Sequence, residues 1–234
     1  MKYEEVTSEI VGELEEIAGE QNVHTGESER EEYSKDESPQ VESHRPKVIV
    51  KPENAEQVSE ILYFANASEI PVTPRGGGTG LSGGAVPVYG GILLSLENMD
   101  KILEIDEDNL MAVVEPGVEI RDLYDAVEKK GFHYPVYPGE DTATVGGTVA
   151  TNAGGMKAVK YGVTRDNVAG LEAVLPTGEI IKAGGKFIKS STGYDLRHLI
   201  TGSEGTLAVV TKIILKLSVI PQERRLLIVP FENM

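Results

Sequence analysis

Hydrophobic positions recur at helical spacing near the start of the chain. Val6, Ile10, Val11, Leu14 and Ile17 share one face of a helix predicted over residues 4–18, and Gly19 is its stop. Residues 24–45 are polar and charged, which predicts a solvated loop or extended arm. From Pro46 onward the pattern is that of a folded domain. A short strand is predicted at 47–50, then a helix with Ala55, Val58, Ile61, Leu62 and Ala65 on one face, then a strand at 70–73. Three further strands are read at 91–96, 101–105 and 110–115. Ile120, Leu123, Tyr124 and Val127 mark another amphipathic helix, stopped by Gly131. Residues 132–164 show little periodicity and read as a long loop, which at this length is either functional or wrongly assigned as loop. Residues 168–175 and 179–183 flank Pro176-Thr177-Gly178 as a hairpin. A short helix at 195–200 and a long strand at 206–217 follow.

This order mixes helices with strands of antiparallel type and lacks strict strand–helix alternation. The predicted class is therefore α+β rather than a doubly wound parallel sheet. The expected organisation is an N-terminal helix and acidic arm (1–45) and a two-lobed domain (46–220, divided near 105). Residues 221–234 are expected to begin a further domain.

Composition narrows the chemistry. The 234 residues include no cysteine, which excludes disulfides, thiolate metal sites and thiol nucleophiles. The net charge is −16, and residues 1–45 carry 14 of the 38 acidic residues but only 4 of the 22 basic ones. No basic stripe is present to engage phosphodiester backbones, so no nucleic-acid partner is expected. No apolar run approaches the length of a membrane span and the first residues do not resemble a secretory signal, so a cytoplasmic location is expected. His24, His44, His133 and His198 lack metal-ligand spacing, so no metal site is expected. His133 is the one placed to approach a pocket, because it opens the long loop.

The 26 glycines cluster. Residues 78–83 formally match G-x-G-x-x-G, but no helix follows the motif, so a Rossmann site is not predicted. What remains is a run from Arg75 to Gly84 whose main-chain N–H groups can converge on an anion without Cβ obstruction, with Thr79, Ser82 and Arg75 beside them. A second cluster spans residues 137–155, where small residues allow close backbone approach and Thr142, Thr144, Thr151 and Asn152 supply neutral polar groups. A third runs through 192–195 and 202–206 into the last strand. Three separated clusters suit one extended ligand with a diphosphate and a planar group, and FAD fits.

Taken in order, Pro74-Arg75-Gly76-Gly77-Gly78-Thr79-Gly80, residues 138–147, residues 150–155, residues 170–178, and 192–196 with 202–206 resemble a known family. They are similar to the FAD-binding half of the vanillyl-alcohol-oxidase (PCMH) type flavoproteins, in the branch of the glycolate oxidase large subunit and D-lactate dehydrogenase. The resemblance covers roughly residues 5–220. It implies a two-lobed α+β domain, not a Rossmann fold, with FAD held between the lobes. It implies cofactor contacts from Pro74, Arg75, Gly76, Gly77, Gly78, Thr79 and Gly80 around the diphosphate. Further contacts are implied from Pro138, Gly139, Glu140, Asp141, Thr142, Ala143, Thr144, Gly147, Thr151, Asn152, Ala153 and Gly154. Glu204, Gly205, Thr206, Leu207, Ala208, Val209 and Val210 would act largely through the backbone. Ala208 stands where close relatives usually carry glycine. Thr79 stands where some relatives attach flavin through histidine, so noncovalent FAD is implied.

The implied reaction is oxidation of a 2-hydroxy acid by hydride transfer to the flavin while a base takes the hydroxyl proton. No catalytic residue is identified. The domain that usually covers the substrate is expected from elsewhere, and the expected protein partner is a cap domain that supplies it or an electron-acceptor subunit. The apolar residues Leu226, Leu227, Ile228, Val229 and Phe231 are expected to seek such a partner. A non-catalytic FAD-binding subunit is the alternative, and a reductase of a nucleotide-sugar intermediate is a more distant one.

Overall fold

The computed structural model describes residues 3–223 and 225–231. Helix α1 (Ser8–Ala18) begins where the Thr7 hydroxyl accepts from Ile10 N, and it buries Leu14 and Ala18. The next segment is not a plain arm. It forms strand β1 (Val23–His24), helix α2 (Glu27–Glu32) and a loop that returns to strand β2 (Val48–Val50). Helix α3 (Ala55–Ala67) is capped by Asn54, whose side chain accepts from Gln57 N, and it buries Val58, Ile61, Leu62 and Ala65. Strands β3 (Val72–Arg75) and β4 (Ile92–Ser95) complete a sheet of order β1-β2-β4-β3.

The antiparallel reading fails in this first sheet. β4 pairs parallel with both β2 and β3, and only β1 is antiparallel. The physical reason is two long connections, α3 between β2 and β3 and residues 76–91 between β3 and β4, each long enough to return the chain in the same direction. β3 is an edge strand, which is where Pro74 is tolerated in a ladder. It delivers Arg75 opposite Ser95 and releases the chain into the glycine run.

Strand β5 (Ile102–Asp106) already belongs to the second sheet, with β6 (Met111–Val114). Helix α4 (Ile120–Glu128) and strand β7 (Phe132–His133) follow. Residues 134–164 are not structureless. They include α5 (Val145–Thr151), α6 (Ala158–Tyr161) and the start of α7 (Thr164–Asn167). Strands β8 (Val168–Val174) and β9 (Ile180–Gly184) form the expected hairpin, with Val174 opposite Ile180. Helix α8 (Leu196–Ile200) is capped by the Asp195 side chain, which accepts from His198 N. Strand β10 (Val209–Lys216) starts three residues later than expected, because residues 203–206 close a turn through Thr206 N to Ser203 O at 3.0 Å. Strand β11 (Ser218–Val219) pairs with β7. The second sheet, β5-β6-β10-β8-β9, is antiparallel throughout.

Each sheet has its own apolar core. One gathers α1 and α3 against β2 and β4; the other gathers α4 and α5 against β6, β8 and β10. Val174 and Val209 belong to the first core although they lie in second-sheet strands. The Ser59 hydroxyl of α3 also donates to Gly178 O in the β8–β9 turn. The two lobes are therefore packed together through α3, and the glycine-rich segments meet at their junction.

Candidate functional site

A cleft of about 610 Å³ lies where β3, α5 and the start of β10 converge. Its wall includes residues 74–80, Pro138, Gly139, Glu140, Ala143, Thr144, Gly147, Thr151, Ala153, Gly154, Glu204, Gly205, Ala208, Val209 and Val210. All were singled out from the sequence. Five other candidates do not line it. Thr142 donates its N–H and hydroxyl to Glu140 Oε1, at 3.0 and 2.6 Å, and faces a neighbouring polar cavity of about 390 Å³. Asp141 gives its carbonyl to Arg121 N. Asn152, left-handed at φ 50°, ends α5 and accepts from Arg165 N at 2.9 Å. The Thr206 hydroxyl closes on Ser203 O, and Leu207 points elsewhere on the surface. His133 is buried on β7 against the Tyr161 ring and does not reach the cleft.

The glycine loop has a specific hydrogen-bonding property. Among the described residues, no main-chain N–H from Gly76 to Ala85 donates to any protein acceptor. Groups of this kind need partners when they are taken out of water. A run of unmatched donors along a cleft suits an anion with many oxygens. Side-chain charge does not provide the attraction, since Arg75 is the sole cation in the wall beside Asp36, Glu37, Glu140 and Glu204. Arg75 is itself engaged. It donates to Lys35 O at 2.8 Å and lies 5.3 Å from the Tyr33 ring centroid. Burial holds its guanidinium pKa below the usual value, against the pull of Tyr33, Asp36 and Glu97.

Two glycines show why the cleft has this shape. Gly78 turns at φ +72° directly over the Arg75 guanidinium. Gly205, at φ +71°, lies so close to Pro74 that a Cβ would stand 2.7 Å from its Cγ. That contact joins the last-strand turn to the edge strand. The same turn is stitched to α5 by Gly202 N to Val149 O and Glu204 N to Ala150 O, both 2.9 Å. Glu204 adopts φ 55°, a left-handed conformation uncommon for a residue with a side chain. α5 itself starts from Thr144, whose hydroxyl accepts from Gly147 N.

Other wall residues fall within the runs read from the sequence without being singled out as cofactor contacts: Leu81, Ser82 and Gly84 in the first, and Gly146, Thr148 and Ala150 in the second, with Ala85 directly after the first. Leu96, Pro116 and Ile200 are brought in only by the fold. Asp36 and Glu37 come from the segment expected to be a solvated arm.

Residues 46–184 match the family model described as FAD binding domain. The chain belongs to this family. FAD is its cofactor, and the unmatched donors and Cβ-free approach of the cleft suit a diphosphate-bearing dinucleotide. The FAD-binding chain is 53% identical over 210 residues to an FAD-linked oxidoreductase of Mycobacterium tuberculosis, covering 90% of this chain and 46% of that protein. It is 46% identical over 233 residues to a D-lactate dehydrogenase of Anaerostipes hadrus (100% and 49%). It is 43% identical over 229 residues to glycolate oxidase subunit GlcD of Bacillus subtilis (97% and 48%). The chain thus spans about half the length of the curated relatives it matches. Among solved structures it superposes on p-cresol methylhydroxylase with substrate bound at a TM-score of 0.80 and 24% identity, covering 92% of this chain and 44% of that one. It superposes on 4-ethylphenol oxidase from Gulosibacter chungangensis at 0.81 and 27%, covering 92% and 43%. The fold is the PCMH-type FAD-binding fold, not a Rossmann fold. No helix among the described residues is long and apolar enough to cross a membrane.

Proposed function

We propose that this chain is the FAD-binding part of a dehydrogenase that oxidises a 2-hydroxy acid of the glycolate or D-lactate type. The observation that carries the reading is the row of unmatched N–H groups from Gly76 to Ala85 along a cleft between two lobes. The names of the Anaerostipes and Bacillus relatives support the substrate class.

In this reading the glycine loop binds the diphosphate through its main chain, because the carboxylates of the wall cannot. Pro138, Gly139, Thr151, Ala153 and Gly154 flank the remainder of the dinucleotide, where small side chains permit close approach. The turn carrying Glu204 and Gly205, with the first residues of β10, closes the far side. When bound, FAD supplies the two-electron acceptor for hydrogen from the carbinol carbon. The chain's own contribution is to bind the cofactor and fix its orientation.

The substrate side is completed by a further domain or subunit. The exposure of Leu226 (86%), Leu227 (84%) and Phe231 (79%) supports this, since such residues are suited to cover by another part of the protein. The test is anaerobic addition of D-lactate or glycolate to the FAD-loaded chain supplied with its substrate-covering part. Bleaching of the flavin absorbance by either acid is expected. A flavin that stays oxidised with both acids would overturn the substrate class and leave an FAD-binding subunit without this chemistry.

A further inference from the structure

A segment N-terminal to β2 covers the glycine loop. Residues 34–44 form a compact loop whose ends meet, with His44 N donating to Ser34 O at 2.8 Å. Ion pairs from Arg45 to Glu27 and Glu31 close its base. Surface loops with such close ends are frequently functional. Three contacts lay this loop on the glycine run. Glu37 N donates to Gly80 O at 3.0 Å, Arg75 donates to Lys35 O, and the Val41 side chain fills the space beside Gly83.

Asp36 lies within this loop and lines the cleft. Its Oδ1 accepts from Ser38 N at 2.9 Å. Its Oδ2 is buried and accepts from no protein group, and it stands 3.8 Å from where a Cβ on Gly80 would be. A buried carboxylate oxygen without a donor is costly, so a structure that keeps one needs a reason. The diphosphate is not that reason, because two anions repel. FAD also carries donors: the hydroxyls of its ribityl and ribose groups, and N–H groups on its rings.

We propose that Asp36 is a cofactor-binding residue, its Oδ2 accepting a hydrogen bond from a hydroxyl or N–H of FAD, and that residues 34–44 are the strap that holds it over the cleft. The proposal rests on FAD occupying this cleft.

The sign of one measurement decides it. FAD is titrated into the chain and into D36A and D36N variants, with binding followed by flavin fluorescence. Unliganded thermal melts check folding, and if D36A melts lower, the near-isosteric D36N decides. If Asp36 accepts a hydrogen bond from the cofactor, its loss weakens FAD binding about ten- to a hundredfold, the usual worth of a hydrogen bond to a charged group. If Asp36 is only a carboxylate near a diphosphate, removing its charge leaves binding unchanged or tightens it, and that result overturns the proposal. ADP and riboflavin, titrated separately, locate the donor: a loss with ADP places it on the adenosine half, and a loss with riboflavin places it on the flavin half. A wild-type chain that takes up no FAD would instead overturn the cofactor reading beneath the proposal.

Discussion

At the scale of single residues, the site depends on where side chains cannot go. Gly205 and Gly131 both adopt positive φ, +71° and +82°, but a Cβ at Gly205 would strike Pro74 whereas one at Gly131 would meet nothing within 4 Å. Replacing either with alanine incurs the left-handed penalty of about 1–2 kcal/mol. Only Gly205→Ala adds an overpacking cost, typically about 1–3 kcal/mol. Urea unfolding is expected to show G205A clearly less stable than G131A, with weaker FAD retention in G205A alone. Equal losses would contradict the close approach. Glu97 gives a second residue-scale expectation. Burial raises its pKa, but hydrogen bonds from Lys51, Tyr33 and Ser95 outweigh this and hold it below its ordinary 4.5. The folded value is thus the lower one. Its stabilisation is complete above about 4.5 and is lost as pH falls through the depressed value. The difference in melting temperature between the wild type and E97Q is expected to be constant near neutrality and to shrink in acid. A pH-independent difference would count against the network.

At the scale of elements, α5 shows what local sequence signals conceal. Val145–Thr151 contains two glycines and two threonines, poor helix formers, and the segment therefore read as loop. It is helical because Thr144 caps it and because Val145, Thr148 and Val149 are buried against the second core. The Thr144 hydroxyl also lies directly beneath Gly76, so the cap supports the glycine loop as well as the helix. T144A is expected to cost about 1 kcal/mol, the usual value for a lost cap, and to loosen FAD, whereas T144S should retain most of both. Melting and FAD titration of the pair check this, and a serine variant no better than alanine would contradict the capping role. Strong local punctuation made other elements legible. The β8–β9 hairpin follows from Pro176-Thr177-Gly178, and α3 and α4 follow from their apolar periodicity. The parallel pairing of β2, β4 and β3 was not legible, since register across a crossover is set by packing of distant segments.

At the scale of the whole molecule, the glycine clusters could be read from sequence because each is a continuous run with its own conformational requirement. The convergence on one cleft of the first two clusters and of residues 203–205 from the third, while residues 192–195 do not line it, required the fold, as did Arg75's turn toward Tyr33 and Lys35. The contact of residues 34–44 with the glycine run was hidden for the same reason, because an acidic stretch looks solvated until its backbone is seen bonded to Gly80 and Arg75. The two lobes share Val174 and Val209 in one core, so they should unfold together. Circular dichroism and tyrosine fluorescence are expected to report coincident urea transitions, and two separated transitions would show independent lobes. On the proposed function, the cleft between these lobes holds FAD through the main-chain donors of residues 76–85. Adding FAD to the purified chain, desalting it and recording the absorption spectrum tests this. Flavin bands that persist in about one-to-one proportion with protein, with a raised melting temperature, are the predicted result. A colourless protein whose melting temperature FAD does not change would contradict it.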